Sequence, residues 1–257
     1  MISLKTSVII PFYNASKTII RSIESVLNQS TAADEILLIN DGSTDDSLSK
    51  IELFLSKEKN INTIKIISLL KNSGVSKARN TGISNAQNPI HVFLDSDDSM
   101  HQDKIKTVHT FFKTYPNAIG FTHDYSLEKQ SVLPTEIKFI PHPFLNNIFK
   151  NKGGGSSIVV YNKDKKWKFN ESINYSEDFD LSNRLSYTNK FYYCKEKLAI
   201  IFRKTASAGG LSGEKSKMRK GERQSFKNIK DYAPKYIWLI PILLLYSYLK
   251  QIFRSIL

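Results

Sequence analysis

Over its first hundred residues the chain alternates short aliphatic runs with segments of helical spacing. Ser7-Val8-Ile9-Ile10 is a continuous β-branched run stopped by Pro11, the pattern of a strand buried on both faces. Ile19, Ile20, Ile23, Val26 and Leu27 then recur at helical spacing, with Asn14 or Ser16 available as the cap. Residues 35–40 (EILLIN) form a second buried run. It ends in Asp41-Gly42-Ser43-Thr44-Asp45-Asp46, where Ser43 and Asp46 have capping-box spacing for a helix that turns Leu48, Ile51 and Leu55 inward. Residues 64–70 predict a third strand, 75–86 a helix, and 90–94 a fourth strand running into Asp95-Ser96-Asp97-Asp98. Such alternation predicts a parallel sheet with crossover helices. It also sets every polar cluster at the carboxyl end of a strand, where open α/β sheets bind ligands.

After a helix over 104–115 the rhythm changes. Strands are expected over 118–125, 156–161 and 191–202, so the sheet becomes mixed. Gly153-Gly154-Gly155 reads as a flexible lead-in to the second of these. Gly209-Gly210-Leu211-Ser212-Gly213 reads as a linker or mobile loop, followed by a basic stretch and an apolar segment over 236–249.

The acidic turn after the fourth strand carries the first chemical signal. Three carboxylates at a strand end repel one another unless a cation or donor groups compensate, and oxygen-only ligands suit Mg²⁺ or Mn²⁺ bridged to a diphosphate. A calcium-binding EF-hand does not fit: counted from Asp95, the sixth loop position is Met100 rather than Gly, and the twelfth is Lys106 rather than Glu.

The turn is one of five motifs in order. Ser7-Val8-Ile9-Ile10-Pro11-Phe12-Tyr13-Asn14, Asn40-Asp41-Gly42-Ser43-Thr44-Asp45, Ala78-Arg79-Asn80-Thr81-Gly82-Ile83, Phe93-Leu94-Asp95-Ser96-Asp97-Asp98 and Ser176-Glu177-Asp178-Phe179-Asp180-Leu181 together resemble the family 2 glycosyltransferases over about residues 5–205. The resemblance implies an α/β fold of the GT-A type, a Rossmann-like and mostly parallel sheet with a mixed second half. It implies a catalytic domain over 1–208, with a nucleotide-binding half (1–100) and an acceptor-binding half (101–208), and a tail over 209–257. The activity implied is inverting transfer of a sugar from a nucleotide-diphospho-sugar donor, with UDP expected, using Mn²⁺ or Mg²⁺. By the same resemblance Pro11, Phe12 and Tyr13 rim the base, Asp41 accepts from its imide N–H, and Arg79 lies near the base or phosphates. Asp95 contacts ribose and Asp97 the metal. The Glu177-Asp178 pair supplies the catalytic base, with Asp178 preferred. Many relatives carry a His after the last strand; here Arg203, Lys204 and Ser207 stand as the candidates to meet the diphosphate on a glycine-flanked lid.

Two other classes compete: a noncatalytic nucleotide-binding scaffold of the same fold, which intact Asp97 and Asp178 oppose, and a nucleotidyltransferase, which should carry a Gly-rich basic loop where Pro11-Phe12-Tyr13-Asn14 stands. A dehydrogenase would need G-x-G-x-x-G after the first strand. A single cysteine, Cys194, and five histidines outside any His-Glu-x-x-His spacing disfavour disulfides and a zinc site.

Charge alters the picture at one end only. The formal charge is +13, and from Phe202 onward twelve basic and three acidic residues hold +9 of it. Residues 215–230 carry seven basic side chains and one acid, ahead of a segment of mostly apolar residues shorter than the roughly 20 residues that span a bilayer. The reading is a basic and apolar helical tail, apart from the chemistry, lying on an anionic membrane surface. Packing on the catalytic domain or a homodimer contact is the alternative. Aliphatics rather than exposed aromatics follow the basic run, which argues against nucleic acid. With no export signal read at the N-terminus, the expected location is cytoplasmic, peripheral on the inner face of the membrane, with a glycan or lipid-linked glycan acceptor of bacterial surface-polysaccharide type.

Overall fold

A computed structural model of the chain describes residues 4–58, 63–127, 130, 132–150, 154–202 and 214–256. Strand β1 (Thr6–Phe12) continues through Pro11 instead of stopping there. It pairs with β2 (Glu35–Asn40) up to Phe12, but with β4 (Ile90–Phe93) only as far as Ile9. The Ile9 carbonyl accepts from Leu94 N–H at 3.1 Å, so Pro11, two residues on, points toward β4 beyond its end, where no ladder N–H is needed.

With β3 (Ile64–Ser68) at the edge, the order β3-β2-β1-β4 is parallel throughout. Helices α1 (Ile19–Leu27), α2 (Ser47–Leu55) and α3 (Val75–Asn85) make the crossovers. The chain moves outward from β1 to β3 and returns on the other side of β1 as β4. That reversal opens a crevice at the carboxyl ends of β1 and β4. Beyond β4 the sheet is mixed, as its pattern predicts: β8 (Ile158–Tyr161) is antiparallel to β4, β6 (Gly120–Leu127) to β8, and β9 (Phe191–Ile201) parallel to β6. Two strands are additional, β5 (Asp98–Met100) and β7 (Phe139–Pro141), each antiparallel to β9.

Alternation along β1 divides the core. Val8, Ile10 and Phe12 join Ile19, Ile23, Val26 and Ile51, together with Ile105, Val108 and Phe111 of α4 (Lys104–Thr114). Ile9 joins Ala78 and Ile83 of α3, and Leu181 and Leu185 of α6 (Glu177–Ser186). The expected caps do not form. Asn14 accepts the Thr44 N–H at 2.8 Å instead of capping α1, and its own N–H donates to Ser43 Oγ at 3.1 Å. Ser43 is thereby taken out of any capping box, and Asp45 accepts the Ser47 N–H at the start of α2 instead.

The tail is a pair of helices on the body. α7 (Lys215–Tyr232) and, after a short 3-10 helix at Pro234–Leu239, α8 (Ile240–Ile256) enclose a third apolar cluster. There Phe226, Ile229, Ala233, Leu239 and Leu243 meet Phe179 of α6 and Phe144 and Ile148 of α5 (Phe144–Lys150). Pro241 sits in the first turn of α8, which proline tolerates. Among the described residues no helix is long and apolar enough to cross a membrane. The glycine linker over 209–213 lies outside the described residues.

Candidate active site

The site is built on a buried guanidinium. Arg79, on α3, is 2% exposed. Its Nη2 donates to Asp95 Oδ1 and its Nη1 to Glu177 Oε1, both at 2.6 Å. The Phe169 ring lies 4.9 Å from its Cζ. One cation on α3 thus ties the end of β4, 16 residues on, to the start of α6, 98 residues on.

The turn after β4 is clasped from behind by α1. Arg21 donates to the Asp97 carbonyl at 2.7 Å and Ser22 to the Asp98 carbonyl at 2.6 Å. Ser25 Oγ accepts the Met100 N–H at 3.0 Å. Gln29 accepts the Ile105 N–H at 3.0 Å and donates to the His101 carbonyl at 2.8 Å. The polar positions of this amphipathic helix are therefore the scaffold of the acidic turn. On its other side Ser156 Oγ accepts the Asp95 N–H at 2.9 Å and donates to Asp98 Oδ2 at 2.6 Å. Burial, with the charge of Asp95, pushes the Asp98 carboxyl up to about 8. Lys104 is fully buried beside it, its Nζ donating to the Ser156 carbonyl at 2.6 Å, and burial pulls it down to about 7. Asp98 is thus withdrawn into β5, whereas Asp95 and Asp97 remain partly exposed.

Asp178 follows Glu177 in the first turn of α6 and is half-buried, with Oδ1 accepting the Phe179 N–H at 2.8 Å. Loss of water and the neighbouring Glu177 carboxylate push it up to about 7, against the opposing pull of Arg79. Gly154 and Gly155 line the space between the two walls. A Cβ on Gly155 would lie 2.3 Å from Arg79 Nη2 and 2.8 Å from Asp95 Oδ2; one on Gly154 would lie 3.6 Å from Asp178 Oδ2. Gly155, expected within a flexible lead-in, is close-packed at the site, because a side chain there would displace the ion pair, whereas Gly153 lies outside the described residues.

Of the remaining expected residues, Asp41 is buried at the end of β2. Its two oxygens accept the Ser73 and Gly74 N–H groups, at 2.8 and 2.9 Å, at the start of α3. Pro11 and Phe12 are buried within β1, Phe12 in the core, so of the three expected rim residues only Tyr13 offers an exposed side chain, at 44%. Arg203, Lys204 and Ser207 lie outside the described residues. Sequence reasoning missed Arg21, Ser22, Ser25, Gln29, Lys104, Ser156 and the role of Gly155. Of these, the polar stripe of α1 was the one legible signal.

A doubly wound sheet with acidic strand ends at its switch point and a carboxylate pair on the opposing helix is the layout of a GT-A type glycosyltransferase. The sequence profile of Glycosyl transferase family 2 matches residues 7–196, and the chain belongs to that family. Over 220 residues it is 33% identical to the minor teichoic acid biosynthesis protein GgaA of Bacillus subtilis, a match over 80% of this chain and 48% of GgaA. It is 27% identical over 195 residues to a teichoic acid poly(glycerol phosphate) polymerase of Staphylococcus epidermidis, covering 73% of this chain and 27% of that protein. The chain thus spans half or less of the length of these two relatives. Among solved structures, S. aureus TarS residues 1–349 in complex with UDP-GlcNAc superposes with a TM-score of 0.70 at 20% identity, over 89% of this chain and 67% of that one. The likeness is one of fold.

The two glycines give a test of this geometry. Gly155→Ala should push the guanidinium off Asp95 and lower the unfolding free energy by roughly 3 kcal/mol, the cost of disrupting a buried ion pair. Gly154→Ala should cost less than about 1 kcal/mol, because its Cβ finds ordinary contact distances. Urea denaturation of both variants reads the difference, and equal stabilities would contradict the packing described.

Proposed function

We propose that the chain transfers a sugar from a nucleotide-diphosphate donor to an acceptor hydroxyl with inversion, and that Asp178 is the general base. The observation that carries this is the half-buried Asp178 at the α6 N-terminus, linked through Glu177 and Arg79 to the strand-end acids.

Each residue has a defined task in this reading. Tyr13 offers its ring to the base. Asp41 already accepts two backbone N–H groups and keeps a lone pair on each oxygen for the imide N–H of uracil. Both ends of Arg79 are held by carboxylates, so we assign it to positioning Asp95 and Glu177 rather than to the phosphates. Asp178 takes the proton of the acceptor hydroxyl as that oxygen attacks the anomeric carbon from the face opposite the diphosphate. A base of this kind contributes roughly 10²–10⁴ in rate.

Asp97, with Asp95 beside it, suits a hard divalent cation, Mn²⁺ or Mg²⁺. Among the described residues no group of three or more His, Cys, Asp or Glu could hold a metal by itself. One or two carboxylates, completed by diphosphate oxygens and water, is the usual donor set for such an ion in phosphate chemistry. When bound, the cation would neutralise charge growing on the departing diphosphate.

GgaA and the S. epidermidis polymerase are named for teichoic acid synthesis, which supports a glycan or lipid-linked acceptor in a bacterial cell-surface polymer. The outer face of α8 supports a location beside such a lipid. Ile242, Leu245, Tyr246 and Leu249 form an exposed stripe at helical spacing, with Trp238 63% exposed just before it. Lys250 lies 4.1 Å over the Tyr246 ring, and Lys215, Lys217, Lys220, Lys227 and Lys230 are exposed on α7. An apolar stripe with Lys250 beside it, on a tail with further exposed lysines, suits an anionic bilayer surface.

Asp97→Ala should abolish transfer and the metal-dependent part of nucleotide binding. Asp178→Asn should bind donor normally and lose at least 100-fold in turnover. Retained turnover in Asp178→Asn would remove the base assignment. For the tail, the chain should co-sediment with phosphatidylglycerol vesicles but not with phosphatidylcholine vesicles, and Leu245→Glu should release it. Equal sedimentation of native and Leu245→Glu proteins would count against a membrane-facing stripe.

A further inference from the structure

We propose that helix α7 is part of the catalytic apparatus, with Gly221 as its principal positioning residue: it fixes the backbone turn that aims Asp178. The proposal rests on the assignment of Asp178 as the base. The sequence reading set the tail apart from the chemistry, yet α7 reaches the catalytic turn on both sides of Glu177-Asp178.

Ahead of the pair, Ser176 takes a left-handed conformation, φ 61°, that non-glycine residues rarely adopt. Its hydroxyl donates to the Met218 carbonyl of α7 at 3.2 Å. One turn on, Gly221 lies against the preceding peptide so closely that a Cβ there would stand 1.8 Å from the Tyr175 carbonyl oxygen and 2.7 Å from its carbon. Behind the pair, the Phe226 ring meets Phe179 edge-on at 5.8 Å. Asn228 donates to Asp180 Oδ1 at 3.1 Å, and Asn183 donates to Ser225 Oγ at 3.3 Å. Met218, Gly221, Ser225 and Asn228 thus bracket residues 175–183.

The contacts coincide with a local constraint. A left-handed residue before a helix persists only where its surroundings over-determine it, and here α7 supplies those surroundings. The direction in which the Asp178 carboxylate leaves the helix follows from the backbone at 175–177. A shift of about 1 Å in a catalytic group can cost 10²-fold in rate. α8 in turn braces α7: Ser247 donates to Glu222, which Arg219 of α7 also holds, at 2.6 and 2.7 Å, and Arg223 donates to Gln251 at 2.7 Å.

The test uses the full chain, with Gly221→Ala, Asn228→Ala, the exposed Ser216→Ala of the same helix and, as reference, Asp178→Asn. Mn²⁺-dependent turnover is measured on the sugar that the native chain uses from a panel of UDP-, GDP- and dTDP-sugars, and affinity is measured for the matching nucleoside diphosphate. The Asp178 carboxyl is titrated by ¹³C NMR. Gly221→Ala should lower kcat about 10- to 100-fold, and Asn228→Ala about 3- to 10-fold. Both should leave nucleotide affinity within about twofold of native, and Gly221→Ala should move the Asp178 midpoint by at least about half a unit. Ser216→Ala should match native. If Gly221→Ala does not fold, Asn228→Ala decides by the same kcat criterion. The proposal is overturned if the folded variants keep native kcat and native midpoint, or if kcat and nucleotide affinity fall together. Turnover by Asp178→Asn would instead remove the base assignment itself, an outcome separable from the first because it needs neither α7 variant.

Discussion

A guanidinium withdrawn from water and held at 2.6 Å by a carboxylate at each end is costly to disturb, because loss of either partner leaves a buried charge uncompensated. Arg79 is placed this way by α3, and its two partners belong to different halves of the chain: Asp95 ends the parallel sheet, and Glu177 opens α6. One side chain therefore bridges the two carboxylates, across an interface that the packing of α6 on α3 and β1 also holds. Gly155 follows from the same constraint, since no side chain fits beside the pair. So does the state of Asp178: burial and the neighbouring Glu177 carboxylate push it up to about 7, against the opposing pull of Arg79.

The acids of this cleft are not equivalent, although they stand close together in sequence. Asp98 is taken into β5, bonded by Ser156 and flanked by buried Lys104, whereas Asp95 and Asp97 stay at the surface of the crevice. Strand formation separates a buried acid from two partly exposed ones within four residues. The uneven distribution of charge has a matching division. The near-balanced body sets a cluster of acids at the cleft, while the basic excess lies on the tail, whose inner face is packed against α5 and α6 and whose exposed face carries the lysines of α7 and the apolar stripe of α8.

The first half of the fold was legible because parallel strands buried on both faces are written as continuous aliphatic runs, such as Val8-Ile9-Ile10 and Ile36-Leu37-Leu38-Ile39. The second half was legible only in outline. β5 is three residues of Asp-Ser-Met, too short and polar for any period to register, and it exists because β9 offers it an edge. α7 read as a basic stretch apart from the chemistry because its inward positions include Gly221 and Ser225, small residues that a hydrophobicity pattern does not count, yet small size is what its close approach to Tyr175 demands. The acids at the strand ends were found from position alone. Their partners were not, since Arg79 reaches Asp95 over 16 residues and Glu177 over 98, distances that no local pattern encodes.

The central claim is that Arg79, Glu177 and burial together poise Asp178 as a base. A carboxyl raised from 3.8 to about 7 binds its proton more tightly folded than unfolded. Its contribution to stability is therefore present below about pH 4 and lost as pH rises through about 7, while its basic form appears over the same upper range. The pH dependence of kcat/KM for sugar transfer tests this most directly. The account predicts activity that climbs about tenfold per pH unit below 7 and levels above it, with the limb displaced upward in Arg79→Met, where the opposing positive charge is gone. An acid limb near pH 4, or a limb that Arg79→Met leaves in place, would contradict it.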